Sequence, residues 1–443
     1  MSIFVWLLGG YFLIILVLSW WVGRKETEED YLIAGRDRPW WNIAFSKYAG
    51  AVGAGYYVTY TGYAYEYGLN MSTLVLGIGV GYIIFAYWGA KRIKQISQEA
   101  GNIYTMGELV EYKTASRHAS VILNIAVLIS AILYLSIGIV AGGALMASFG
   151  VLSYEYAIIL TLGAVISYLL LSGYKAVILT DVVQGVVMLV LLVVVGLGFW
   201  NSNAIPFEAV VATREIDVLL VAIFLVFGAA TSFASPDRYQ LTFAGKDTSA
   251  LQTGFLGAFV PVIFTSLVLL MIGASMYAIN ASLDTNVVFA EAITQFVAPG
   301  LVPFALVMFF AGIMSSADTN LYVLASHVEK MRGVKLTRYA LRWLLAIFGL
   351  ITIIIVMIFR DVVELTIVAA SFQVAVSFGM IYLVAGGDSK LTFLSMVYGG
   401  IIGVVVGILA FGVSPNIAAL ALIGNLVGWV ISLIAKRILA KRV

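Results

Sequence analysis

The chain has 443 residues, of which 62% are apolar and only 11% charged, with a formal net charge of +2. So few charges exclude an ordinary soluble domain, in which roughly a quarter of residues are charged. No cysteine and only two histidines, His118 and His327, exclude disulfides, thiolate chemistry and a histidine-rich metal centre.

Hydropathy predicts an all-α integral membrane protein of thirteen transmembrane helices, at 3–22, 39–68, 72–96, 119–149, 154–172, 175–200, 217–245, 250–280, 300–329, 338–360, 362–385, 391–412 and 415–438. The first has no small-residue cleavage site after it and carries Trp20 and Trp21 as interfacial anchors, so it reads as a retained helix. With the N-terminus outside and the C-terminus cytoplasmic, every Lys and Arg except Arg214, Arg360 and Lys47 falls on the inner side. The small net charge therefore reports topology in a plasma membrane and gives no sign of a nucleic-acid partner. The longest span-free stretch, 97–118, is expected to be a cytoplasmic loop.

Two spans are broken by glycine. The first break is Ala49-Gly50-Ala51-Val52-Gly53-Ala54-Gly55, and the second runs Phe227-Gly228-Ala229-Ala230-Thr231-Ser232-Phe233-Ala234-Ser235-Pro236. Backbone unwound inside a bilayer must find polar partners other than lipid. The breaks sit five spans apart, and five is odd. Spans 2–6 and 7–11 are therefore expected to form an inverted repeat whose leading helices are both discontinuous, the pattern of a transporter's binding site. This divides the chain into 1–38 (first helix and loop), 39–200 and 201–386 (the repeats), and 387–443 (two further helices). Glycine also serves close helix packing, but matched breaks in both halves favour a site.

Charged side chains in a bilayer cost roughly 2.5–3.5 kcal/mol each on insertion scales and so need a reason. Span 6 opens Gly173-Tyr174-Lys175-Ala176-Val177-Ile178-Leu179-Thr180-Asp181-Val182-Val183-Gln184, and span 9 carries Gly312-Ile313-Met314-Ser315-Ser316-Ala317-Asp318-Thr319-Asn320. At 1.5 Å per residue, Asp181 and Asp318 reach similar depths. Gly312, Ser315, Ser316 and Thr319 make one helical stripe bordered by Asp318, a set of hard oxygen ligands for an alkali cation. The alternative is a packing seam whose hydroxyls bond back to their own helix. Lys47, just before the first break, either counters Asp181 or Asp318 or snorkels to the interface. Asp237 and Arg238 are expected to pair at an inner gate.

These residues resemble the sodium:solute symporter family. Asp30-Tyr31-Leu32-Ile33-Ala34-Gly35-Arg36 resembles its acidic-aromatic-x-x-Ala-Gly-Arg segment, Gly173–Gln184 its Gly-x-Lys-Ala-Val-x-x-Thr-Asp-x-x-Gln signature, and Ser235–Asp247 the end of its seventh helix. The resemblance implies a leucine-transporter-like fold and Na+ as the coupling ion. It implies a first Na+ at Ala49, Val52, Gly312, Ser315 and Ser316, and a second at Asp181, Ser315, Asp318 and Thr319. Asp318 departs from a hydroxyl residue in the family, and Lys47 is a second departure.

The implied function is sodium-coupled import of a small organic solute by alternating access, with two Na+ balancing two ionised aspartates. Family positions that bind hexose hold Tyr56 and Val75 here, which disfavours a sugar; an amino acid or carboxylate is favoured. The expected solute pocket is Tyr56, Tyr57, Tyr134, Thr231, Ser232, Phe233 and Gln373, with no Arg placed to clamp a carboxylate. The alternatives are proton-coupled symport on the same fold and a transporter-like membrane receptor. An enzyme is not expected, since no catalytic triad or phosphate loop appears and the glycines of 77–81 lie within a span. Oligomeric state is left open.

Overall fold

The structure is a computed structural model and describes residues 2–24, 26–27, 30, 33–171, 173–201, 218–332 and 338–440. Tyr31 and Leu32 of the acidic-aromatic segment, Arg214, and Lys25, Lys335, Lys441 and Arg442 lie outside the described residues.

Among the described residues eighteen helices carry the fold: α1 Ser2–Gly23, α2 Trp40–Ala51, α3 Ala54–Tyr67, α4 Met71–Ile84, α5 Ala90–Glu99, α6 Met106–Thr114, α7 Arg117–Ser148, α8 Tyr154–Leu169 and α9 Tyr174–Asn201 come first. They are followed by α10 Val218–Thr231, α11 Pro236–Ala244, α12 Thr248–Ile279, α13 Val288–Phe296, α14 Val302–Arg332, α15 Arg338–Ile358, α16 Val362–Val384, α17 Lys390–Phe411 and α18 Asn416–Ala440. Among the described residues the only β pairing is an isolated bridge between Arg38 and Gly245.

Among the described residues, eleven helical runs are long and apolar enough to cross a membrane, with α8 a shorter apolar helix. The thirteen expected spans differ from this count for two local reasons. After the break that separates α2, the second and third spans run together as one helical stretch, Ala54–Glu99, and the fifth contains only the 16 residues of α8. Inside the expected 97–118 loop the chain forms α6, started by a reciprocal capping box between Thr105 and Glu108. The short helix α13 was likewise not marked by hydropathy.

Helix ends follow local chemistry. Ser116, Ser153, Asp247, Asp361 and Ser389 each accept a backbone N–H from the first turn of the helix they precede. Pro236 occupies the first turn of α11, where its missing N–H costs nothing. In α17 and α18 glycine has the packing role. A Cβ on Gly399, Gly403 or Gly428 would come within 2.1 Å of a carbonyl oxygen of the other helix.

The loop after α1 ties several helix ends together. Glu26 accepts the N–H groups of Gly173 and Ala176 at 2.8 and 3.3 Å, capping α9, and Asp30 meets Lys175 at 3.0 Å. Arg38 donates its backbone N–H to the Ala244 carbonyl at the end of α11 and accepts that of Lys246, and Lys94 caps the same end through the Gly245 carbonyl at 2.7 Å. These contacts hold α2, α9 and α11 in register, and those helices deliver the buried polar residues described next.

Candidate functional site

The first break is a true interruption. Helix α2 ends with the Val52 N–H donating to Tyr48, and α3 restarts with Tyr56 and Tyr57 donating to the Gly53 carbonyl at 2.9 and 3.3 Å. The carbonyls of Ala49 and Val52 are thereby left outside the helical ladder. The break is seated directly on α14. A Cβ on Gly53 would lie 1.6 Å from Ser316 Oγ and 3.1 Å from the Gly312 carbonyl, and one on Gly50 would lie 3.4 Å from Thr319 Oγ1. Only a residue without a side chain permits this approach. Freed carbonyls and the hydroxyl stripe thus occupy one place.

Behind the stripe lie the two aspartates, both fully buried. Asp181 accepts hydrogen bonds from the Ser46 hydroxyl and, at 2.6 Å, from Ser315. Asp318 accepts from the Tyr168 hydroxyl at 2.5 Å and from Thr319 at 3.4 Å. A hydroxyl that donates its proton to a carboxylate keeps its lone pairs, so Ser315 can still present oxygen to a cation. Among the described residues neither aspartate meets a Lys or Arg within ion-pairing distance. Isolated buried carboxylates are costly unless neutralised by a cation or a proton. Close by, the buried amide of Gln184 and the hydroxyl of Tyr11 have no hydrogen-bond partner among the described residues.

Lys47 does not serve as counter-charge to Asp181 or Asp318, nor does it snorkel. It is buried and paired with Asp237, joining the two helix breaks. Asp237 lies in the first turn of α11, where a negative charge is favoured by the helix dipole, and its other oxygen accepts from Ser235. The expected pairing of Asp237 with Arg238 is therefore replaced. Arg238 instead lays its guanidinium over the Tyr82 ring, 3.9 Å from the centroid.

Both breaks open onto one cavity of about 210 Å³. Of the residues expected to bind solute, Tyr56, Tyr134, Thr231 and Gln373 line it, as do Ser316 and Thr319 of the stripe. The Tyr134 hydroxyl donates to Gln373 at 3.3 Å, and Tyr56 stacks on Tyr60 at 3.7 Å between centroids. Tyr57, Ser232 and Phe233 lie outside the lining. One residue along a helix turns the side chain by about 100°, so Tyr57 faces away from Tyr56 and packs 5.1 Å from Phe289. Phe233 packs against Phe85 and Trp88, and Ser232 is buried against Gly81.

Sequence reasoning missed Ser46, Tyr168, Thr59, Tyr60 and the cavity placement of Arg238. Ser46 and Tyr168 are the informative cases. Each was a polar residue within a membrane span, a signal that was present but has no meaning until its partner helix is known.

Broken helices, freed carbonyls, a buried carboxylate pair and a shared central cavity define a multi-pass membrane transporter. The whole-chain fold agrees. It is similar to that of a Na+-coupled sialic acid symporter, with TM-score 0.78 at 14% identity over 98% of both chains. It is also similar to a nucleobase-cation-symport-1 family transporter, with TM-score 0.64 at 11% identity over 94% and 96%. Both have the leucine-transporter-like fold. The chain belongs to the sodium:solute symporter family, whose model matches residues 31–403. It is 26% identical over 344 residues to an osmoregulated proline transporter of Bacillus subtilis, covering 73% of this chain and 69% of the relative. It is 28% identical over 193 residues to a sodium/proline symporter of Staphylococcus aureus, covering 43% and 38%. Sodium-coupled symport is the activity this membership carries, and the family members are transporters, not enzymes.

Proposed function

We propose that the chain couples inward Na+ movement to uptake of a small organic solute, an amino acid or carboxylate. The observation that carries this reading is the seating of Gly53 on Ser316 and the Gly312 carbonyl. It brings the Ser316 hydroxyl and the Gly312 carbonyl against the first break, which supports reading a first Na+ at the carbonyls of Ala49, Val52 and Gly312 and the hydroxyls of Ser315 and Ser316. A second Na+ is assigned to Asp181, Asp318, Thr319 and the shared Ser315. Two cations against two carboxylates sum to zero, which suits a buried site.

The helices are read as thirteen crossings, N-terminus outside, with an inverted repeat beginning at each break. The cavity of about 210 Å³ is smaller than the ~300–1,000 Å³ of drug-sized ligand sites, consistent with a small solute held between Tyr56, Tyr134, Thr231 and Gln373. Each inward charge contributes ~2.3 kcal/mol per 100 mV and a tenfold sodium gradient ~1.4 kcal/mol. Two ions thus support roughly 10⁵-fold accumulation, and one a few hundredfold.

The test is the melting temperature of purified protein as Na+ replaces K+ at constant ionic strength. A saturable Na+-specific rise is expected, because a ligand of the folded state stabilises it by mass action. The second reading, proton coupling, is favoured by the isolation of Asp318: among the described residues no Lys or Arg lies at ion-pairing distance, and a proton would neutralise the buried carboxylate as a cation would. Uptake driven by a pH gradient in sodium-free medium would replace the sodium reading with it.

A further inference from the structure

The cavity contains three charged side chains, Lys47, Asp237 and Arg238. Asp237 has both oxygens engaged, one by Lys47 and one by Ser235. Lys47 and Asp237 cancel, and the cavity is left with one net positive charge on Arg238. That residue is 5% exposed, and among the described residues its Nε and Nη1 atoms are buried without hydrogen-bond partners. Stacking on Tyr82, and more distantly on Phe85, offsets part of the desolvation of the guanidinium but leaves Nε and Nη1 without an acceptor. A buried guanidinium with open donors is costly, and the cost is relieved by a planar anion, which can bond in parallel to Nη2 together with either Nε or Nη1.

We propose that Arg238 is the clamp for a solute carboxylate, with the rest of the solute lying toward Tyr56 and Tyr134. This rests on the symport reading and assigns the residue that binds the carboxylate of its solute. The Lys47–Asp237 pair has a positioning role: by occupying Asp237 it keeps the neighbouring carboxylate from capturing Arg238. A solute amide of the same shape cannot accept two parallel N–H bonds through anionic oxygens and is excluded.

The experiment compares acid and amide pairs (L-proline and L-prolinamide, L-lactate and L-lactamide) as stabilisers of the full chain in saturating NaCl with chloride fixed. At least one acid should raise the melting temperature saturably, with its amide weaker by at least about thirtyfold. Arg238→Gln should erase that preference while keeping the Na+-induced rise, which shows that the variant is folded. Arg238→Lys, which restores charge without the fork, should recover part of it. A merely structural Arg238 would lower the melting temperature without altering the acid-to-amide ratio. The clamp is overturned if amides match their acids, if no acid stabilises, or if Arg238→Gln retains the preference. Absence of any Na+ response in the unaltered chain would instead count against the symport reading, and the acid–amide ratio still decides the clamp.

Discussion

Asp181 illustrates how one residue acquires meaning from its partners. In the sequence it is an aspartate in an apolar run; in the fold it sits between Ser46 of α2 and Ser315 of α14. Three substitutions separate the proposed ion sites at this scale. Gly53→Ala forces a methyl to within 1.6 Å of Ser316 Oγ, so the break must move off α14. The Na+ half-saturation concentration read from melting curves should rise at least about tenfold, equivalent to ~1.4 kcal/mol. Ser316→Ala should do the same through loss of a ligand oxygen; unchanged sodium affinity there would misplace the first site. Asp318→Asn retains the Tyr168 hydrogen bond but removes a charge, and should lower the Na+-to-solute flux ratio in proteoliposomes from two to one. An unchanged ratio would make that carboxylate structural.

At the scale of elements, the decisive feature is how the ends of α2, α9 and α11 are tied to the loop after α1. Burial pushes the Asp30 carboxyl up, but the Thr27 N–H and hydroxyl and the Lys175 ammonium outweigh it and hold it below the ordinary carboxylate value. A carboxyl whose folded value lies below its unfolded value of ~3.9 stabilises the fold above that pH. The contribution is lost as pH falls through the folded value. Asp30→Asn should therefore lower the melting temperature at neutral pH, and the gap to the unaltered chain should close below about pH 4. A gap that stays constant with pH would show that the Lys175 pair contributes nothing. The glycine breaks were legible as interruptions because glycine clusters mid-span are visible in the string. The glycines of α17 and α18 look the same in sequence yet serve backbone-to-backbone packing, a difference only neighbouring helices reveal.

Over the whole molecule, the charges divide into a buried acidic pair, a buried cationic cavity and interfacial loops. Coupling follows if the proposed cation sites and the cavity share walls, and Ser316 and Thr319, assigned to those sites, also line the cavity. Na+ should accordingly raise solute affinity, and by linkage the solute should raise Na+ affinity by the same factor. Reciprocal melting-temperature titrations check this, and independent binding of the two would break the coupling argument.

The sequence by itself determined the membrane environment, the helix boundaries to within a few residues, the two breaks and the hydroxyl stripe. Each of these depends on local composition or on spacing along one chain. The tertiary structure alone decided that Lys47 pairs with Asp237, that Ser46 and Tyr168 hold the aspartates, and that Arg238 faces the cavity while Tyr57 does not. Those facts depend on which helix faces which, and side chains 190 residues apart carry no mark of their meeting.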